Sequence, residues 1–104
     1  MSNNLTKIVF SIPTYKRELD LIRLLCSISC SLELVKDLVE ISICIRDNDP
    51  NSNLSEKYLR NYCKDCYLIY TKNEFNEGAR FNVWRTLVKS SQFGDYICLV
   101  SDDD

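Results

Sequence analysis

Four short apolar runs, each parted from the next by a stretch of helical spacing, constrain this chain more than any other feature. The runs are Lys7 to Ile12, Glu40 to Arg46, Tyr67 to Thr71 and Tyr96 to Val100. Each has the length and the β-branched or aromatic content of a strand, and the last reads as a buried one. Glu18 to about Ser31 carries Leu19, Ile22, Leu25 and Ile28 at helical spacing, with Leu21, Leu24 and Cys26 widening the stripe. Leu32 to Val39 either extends this helix or forms a short one of its own. A second helix is expected from near Asn53, where Asn53 and Glu56 resemble a capping box, and it should bury Leu54, Tyr58, Leu59 and Tyr62. Ala79 to Ser90 reads as the third, with Phe81, Trp84, Leu87 and Val88 on its inner face and Gly94 just past its end. Strands alternating with helices call for parallel pairing through right-handed crossovers. The expected fold is therefore α/β, a Rossmann-like parallel sheet with flanking helices.

Local chemistry refines this outline. Pro13 should end the first strand, because proline cannot donate to a ladder. In the second strand Ile41, Ile43 and Ile45 share one face, while Ser42 and Cys44 share the other. A chain of 104 residues suffices for one small domain with a modest core. Its net charge of −2 gives no basic footprint, which argues against nucleic acid as a partner. No apolar run approaches the length of a membrane span. Met1 to Thr6 is polar and lacks a signal-peptide core. From these features the expected location is the cytoplasm, or the periphery of a membrane's inner face.

The cysteines and histidines limit the chemistry. Of six cysteines, Cys26 and Cys30 fall on a helix and Cys44 and Cys98 in strands, positions that suit buried thiols. Cys63 and Cys66 form a Cys-x-x-Cys pair with no second pair to complete a zinc site, and they read as ordinary thiols. The absence of histidine excludes every histidine-based catalytic scheme.

The expected topology gathers polar turns at one sheet edge: Pro13 to Arg17, Asp47 to Ser52, Asn73 to Arg80, and Ser101 to Asp104. Ligands of open α/β sheets sit outside the carboxyl ends of the strands. Tyr15 offers a flat face for stacking on a base. Asp47 and Asn48 can bond a base or ribose, though both are also turn formers. Arg80 and Arg85 can neutralise phosphate, or be solvated, or pair with Glu77. Lys16 and Arg17 open a helix, where cations are disfavoured unless an anion is near. Asp102, Asp103 and Asp104 repel one another, which suggests a hard divalent cation such as Mg²⁺ or Mn²⁺. A solvated acidic run is the alternative. Both GxGxxG and the Walker A loop are missing.

Four segments in order also resemble a known family. Ile12-Pro13-Thr14-Tyr15-Lys16-Arg17 looks like the opening "PTYNR" of GT-A glycosyltransferases of family 2. Arg46-Asp47-Asn48-Asp49-Pro50-Asn51-Ser52 is similar to the "SDNxSxD" turn. Asn76-Glu77-Gly78 with Asn82 and Arg85 resembles "NxGxxxNxxR", and Gly94 through Asp104 resembles "GEYxxxLSDDD", a variant of the DxD motif. Lys16 stands where the family has asparagine, and Pro50 where it has a small residue.

The resemblance implies strand order 3-2-1-4 and the N-terminal, nucleotide-sugar-binding half of a GT-A fold. Its nucleotide-contacting set is Pro13, Tyr15, Asp47, Asn48, Arg80, Arg85 and Asp102. Tyr15 would stack on the base, Asp102 would face the ribose, and Asp103 with Asp102 would coordinate Mn²⁺ or Mg²⁺ bridging the diphosphate. The implied partner is a nucleotide diphosphate sugar, and the implied reaction is sugar transfer to an acceptor hydroxyl, as in bacterial surface polysaccharide synthesis. The acceptor-binding half and the general base are expected downstream of position 104, so the chain reads as a truncated donor domain, inactive alone. A partner chain or self-association is expected to cover its open sheet edge. The competing reading is a non-catalytic interaction module that binds neither metal nor nucleotide. A receiver-like signalling domain is weaker, since its acids should be spread over several strand ends.

Overall fold

The computed structural model describes residues 5–102. Four strands, β1 (Thr6–Thr14), β2 (Val39–Asp47), β3 (Tyr67–Lys72) and β4 (Tyr96–Leu99), form one sheet in the order β3-β2-β1-β4. Every neighbouring pair is parallel. One face carries α1 (Glu18–Val35) and α2 (Glu56–Leu59), the latter continued by a 3-10 turn at Arg60–Tyr62; α3 (Ala79–Ser90) packs on β1 and β2 from the other side. The expected α/β architecture and strand order are both present.

The main core lies between α1 and the sheet. Leu21, Leu25, Ile28 and Leu32 recur along one stripe of α1 and pack against Ile12, Ile41, Ile43, Ile45 and Leu68. Leu59 and Cys63 close this core from the α2 side. Each aliphatic side chain so buried stabilises the fold by about 1.5–3 kcal/mol. The helix runs on to Val35, which resolves the ambiguous stretch after Ser31 in favour of extension. The buried stripe is rotated from the expected one, and Leu19 is exposed.

Pro13 does not end β1, which continues to Thr14 although it is an inner strand. The Ser11 carbonyl accepts the Val100 N–H on the β4 side, and the Thr14 carbonyl accepts the Asn48 N–H on the β2 side. Pro13, two residues after Ser11, therefore turns its missing donor toward the side where β4 has already stopped at Leu99. The start of α2 also differs from expectation. Ser55, not Asn53, is the N-cap, and its hydroxyl accepts the Tyr58 N–H at 3.1 Å. Leu59 is buried and Leu54 and Tyr62 partly so, but Tyr58 is exposed.

The largest departures concern α3 and β4. Phe81 and Trp84, expected inside, are 63% and 62% exposed, and Val88 is exposed as well. The buried residues of α3 are Asn82, Thr86 and Ser90, spaced one turn apart. The sheet face beneath them is made of small side chains, with Ser11, Ser42 and Val9 buried beside Cys44. The Ser90 and Ser11 hydroxyls pair at 2.9 Å, and the Asn82 side-chain amide donates to the Arg46 carbonyl at 3.1 Å. Thr86 bonds back to the Asn82 carbonyl. These groups satisfy one another, so their burial carries no unpaired-dipole penalty. β4 is likewise not buried: Tyr96, Ile97 and Leu99 are exposed on this edge strand, and Cys98 with them. Cys26 and Cys30 also lie exposed on α1, so of the four thiols expected inside only Cys44 is buried. Gly94 sets β4 against β1, since a Cβ there would lie 3.1 Å from both the Lys7 carbonyl and the Val9 nitrogen.

Candidate functional site

Three strands end together and are tied one residue beyond their ends. The Thr14 carbonyl accepts the Asn48 N–H at 2.9 Å, and the Asp47 carbonyl accepts the Asn73 N–H at 2.8 Å. Four asparagines lock these turns to the start of α3. Asn73 is 2% exposed; its amide donates to Asn48 Oδ1 and Asn82 Oδ1, each at 2.9 Å. Its own Oδ1 accepts from Arg46 Nε at 2.6 Å. Asn48 donates onward to Asn76 Oδ1 at 2.7 Å, and that oxygen also takes the Gly78 N–H. Gly78 has φ +89°, a left-handed conformation that favours glycine and that turns the loop into α3.

This frame encloses a cleft of about 470 Å³. One wall is Pro13, Thr14, Tyr15 and Arg17 from the turn after β1, and another is Asn48 and Asn76. The start of α3 contributes Gly78, Ala79, Asn82 and Val83, and Asp102 completes the rim. Asp102 lies at the carboxyl end of the sheet because the chain follows β1 beyond β4, through the Val100 to Ser11 bond. The Thr14 hydroxyl donates to the Asp102 carboxylate, which is largely buried. At the start of α3 the N-cap glycine has no side chain to cap the helix, and no acid occupies the first turn. The free backbone amides there carry partial positive charge, the arrangement that receives anions at helix starts.

Of the residues expected from sequence, Pro13, Tyr15, Asn48 and Asp102 meet in this cleft. Tyr15 is exposed, with the Lys16 ammonium 5.3 Å from its ring centroid. Asp47 does not line the cleft. Its carboxylate accepts the Tyr70 hydroxyl at 2.6 Å and the Asp49 N–H at 3.0 Å, so it serves the turn. Burial, then the bond to Asp47, pushes the Tyr70 hydroxyl above the ordinary tyrosine range. Arg85 pairs with Glu77 at 3.1 Å and borders a separate groove with Phe81 and Trp84; Arg80 lines neither. Asp103, the expected metal ligand, lies outside the described residues.

Thr14 and Asn73 were not singled out from sequence. A threonine at a strand end and an asparagine in a polar loop carry no local signal; only their position across parallel strands gives them a role. Lys16 has φ +56°, a region where asparagine is enriched and lysine is strained.

Among the described residues no group of three acids, cysteines or histidines could hold a metal alone. The oxygen ligands the cleft can offer are the Asp102 carboxylate and the Thr14 hydroxyl bonded to it, since Asn48 Oδ1 and Asn76 Oδ1 each already accept two N–H bonds. Hard oxygen donors suit Mg²⁺ or Mn²⁺, which take one or two carboxylates and complete their shell with water and substrate phosphate. Among the described residues no helix is long and apolar enough to cross a membrane. Comparison with models of known protein families, with curated proteins and with solved structures finds no match to this chain.

Proposed function

We propose that this chain is the donor-binding part of a metal-dependent glycosyltransferase, resembling family 2 of the GT-A type, and that its cleft takes a nucleotide diphosphate sugar. One observation carries the reading: Pro13, Tyr15, Asn48 and Asp102, drawn from separate stretches of the sequence, line a single cleft together with the uncapped start of α3. In this reading Tyr15 stacks on the base, Asn48 bonds the nucleoside, and Asp102 faces the ribose and the metal with Asp103. The backbone amides of the first turn of α3, from Ala79 onward, would face the diphosphate. A bound Mg²⁺ or Mn²⁺ would stabilise charge on the departing diphosphate. The chain's own residues hold and orient the donor; none of them is assigned as the base that activates an acceptor.

The test is thermal unfolding with UDP, GDP or CDP, each with and without Mn²⁺. A nucleotide at 100 times its dissociation constant should stabilise the fold by about 2.7 kcal/mol. For a domain of this size that is a rise of roughly 10–20 °C. The rise should require the metal and should vanish in Asp102→Asn. The exposed Tyr96, Ile97 and Leu99 on the edge strand, with Phe81 and Trp84 on α3, favour the second reading, an interaction module. No shift with any nucleotide and metal, in a chain that stays folded, would select that reading.

A further inference from the structure

The Cys63-Lys64-Asp65-Cys66 segment lies far from the cleft, between the 3-10 turn and the start of β3. Its two sulfurs are 3.1 Å apart. A disulfide needs about 2.05 Å between sulfurs, so closure asks for a shift of only about 1 Å. The two thiols differ in setting. Cys63 is fully buried in the main core, against the α1 side, whereas Cys66 is partly exposed. The remaining described cysteines offer no comparable pairing, and none of them has another thiol as a hydrogen-bond partner.

From this geometry we propose that Cys63 and Cys66 form a reversible redox site, oxidised to an intramolecular disulfide by small-molecule disulfides of the glutathione type. The sulfur-to-sulfur hydrogen bond supports the chemistry. It holds the Cys63 thiol below its ordinary range against the opposing effect of burial, and it raises Cys66, with burial adding to the rise. The pair therefore shares one proton between two sulfurs once the first is lost, and its ionisation belongs to both. Passage of the shared proton across the hydrogen bond to Cys63 places the thiolate on Cys66, and this accessible sulfur attacks the small disulfide. A Cys66–S bond forms, the small S–S bond breaks, and one small thiolate leaves. The Cys63 thiol then loses its proton to solvent and attacks Cys66 Sγ, expelling the second small thiolate. Two protein thiols are oxidised, one small disulfide is reduced to two thiols, and the two protons end on the leaving groups.

The ring so closed spans only four residues and constrains little of the unfolded chain, so the bond adds little stability of its own. Short, accessible disulfides of this kind are the labile ones. This points to a switchable bond rather than a structural staple.

The test uses the intact wild-type chain. Equilibrate it in mixtures of reduced and oxidised glutathione, quench with an alkylating agent, and map the thiols by mass spectrometry. The expected product is a Cys63–Cys66 linked peptide that forms at lower oxidised glutathione than any other cysteine adduct and is fully reversed by reduced glutathione. Cys63→Ala removes the resolving thiol and should leave a stable glutathione adduct on Cys66. Cys66→Ser should leave the buried Cys63 unmodified. A wild-type map in which Cys63 and Cys66 are alkylated as readily as Cys26 and Cys98 throughout, or in which the disulfide joins other cysteines, overturns the proposal. That result stands even if the Cys63→Ala chain fails to fold.

Discussion

Asn73→Ala is the most demanding test of the structure, because one buried side chain joins the end of β2, the turn after it and α3. The substitution removes a bond from the Arg46 guanidinium at 2.6 Å and two neutral bonds to Asn48 and Asn82 at 2.9 Å. A bond to a charged group contributes about 1.5–3 kcal/mol and a neutral one about 1 kcal/mol. Together these give about 4 kcal/mol. Arg46 is only partly buried, so water can replace some of its loss, and the expected net cost is about 3 kcal/mol. Urea unfolding followed by circular dichroism should show the midpoint fall with little change in slope, since the surface exposed on unfolding is nearly the same. The matching control is Asn61→Ala. Asn61 is exposed, with a single bond to the Tyr58 carbonyl, and its loss should cost no more than about 0.5 kcal/mol. If Asn73→Ala costs no more than this control, the asparagine frame does not hold the strand ends and the cleft loses its rigid wall.

Three further outcomes are expected. Lys16→Asn should stabilise the chain by about 0.5 kcal/mol, because asparagine tolerates the left-handed backbone at φ +56° better than lysine; a lower unfolding midpoint would count against this account. Gly94→Ala should destabilise by about 1–3 kcal/mol, since the new methyl meets the β1 backbone at 3.1 Å, and unchanged thermal stability would show that β4 can shift aside freely. Tyr70 has its folded-state ionisation raised by burial and by Asp47, so its contribution is complete below the unfolded value near 10 and is lost as pH rises toward the folded value. Wild type should therefore lose stability above about pH 10 more steeply than Tyr70→Phe in unfolding measured across that window; parallel curves would refute the coupling.

The sheet was legible because its strands are short β-branched runs and its crossovers leave one topology. The strand order followed from family likeness and agrees with the pairing found. What escaped the sequence were features set by contacts across the sheet. In α3 the apolar residues Phe81, Trp84 and Val88 define a stripe that ordinarily turns inward. Here the sheet face beneath the helix presents Ser11 and Ser42, and the matching face of the helix is Asn82, Thr86 and Ser90. Periodicity records where apolar residues lie along an element; it does not record what that element meets. Pro13 reads as a terminator from sequence, but its missing donor matters only if a neighbour is there to receive it, and β4 stops short of that point. Asp47 and Asn48 stand side by side in the same turn, yet only Asn48 reaches the cleft. The direction of each side chain was fixed by Tyr70 and Asn73, partners more than twenty residues away.

The seat of α3 has a mechanical consequence. Oily contacts are non-directional and let one surface creep over another, whereas hydroxyl and amide pairs hold only at particular angles. With Ser90 gripping Ser11 near one end of α3 and Asn82 gripping the Arg46 carbonyl near the other, the rod is pinned against both rotation and axial drift. Its leading amides keep their aim while anything enters or leaves the hollow before them.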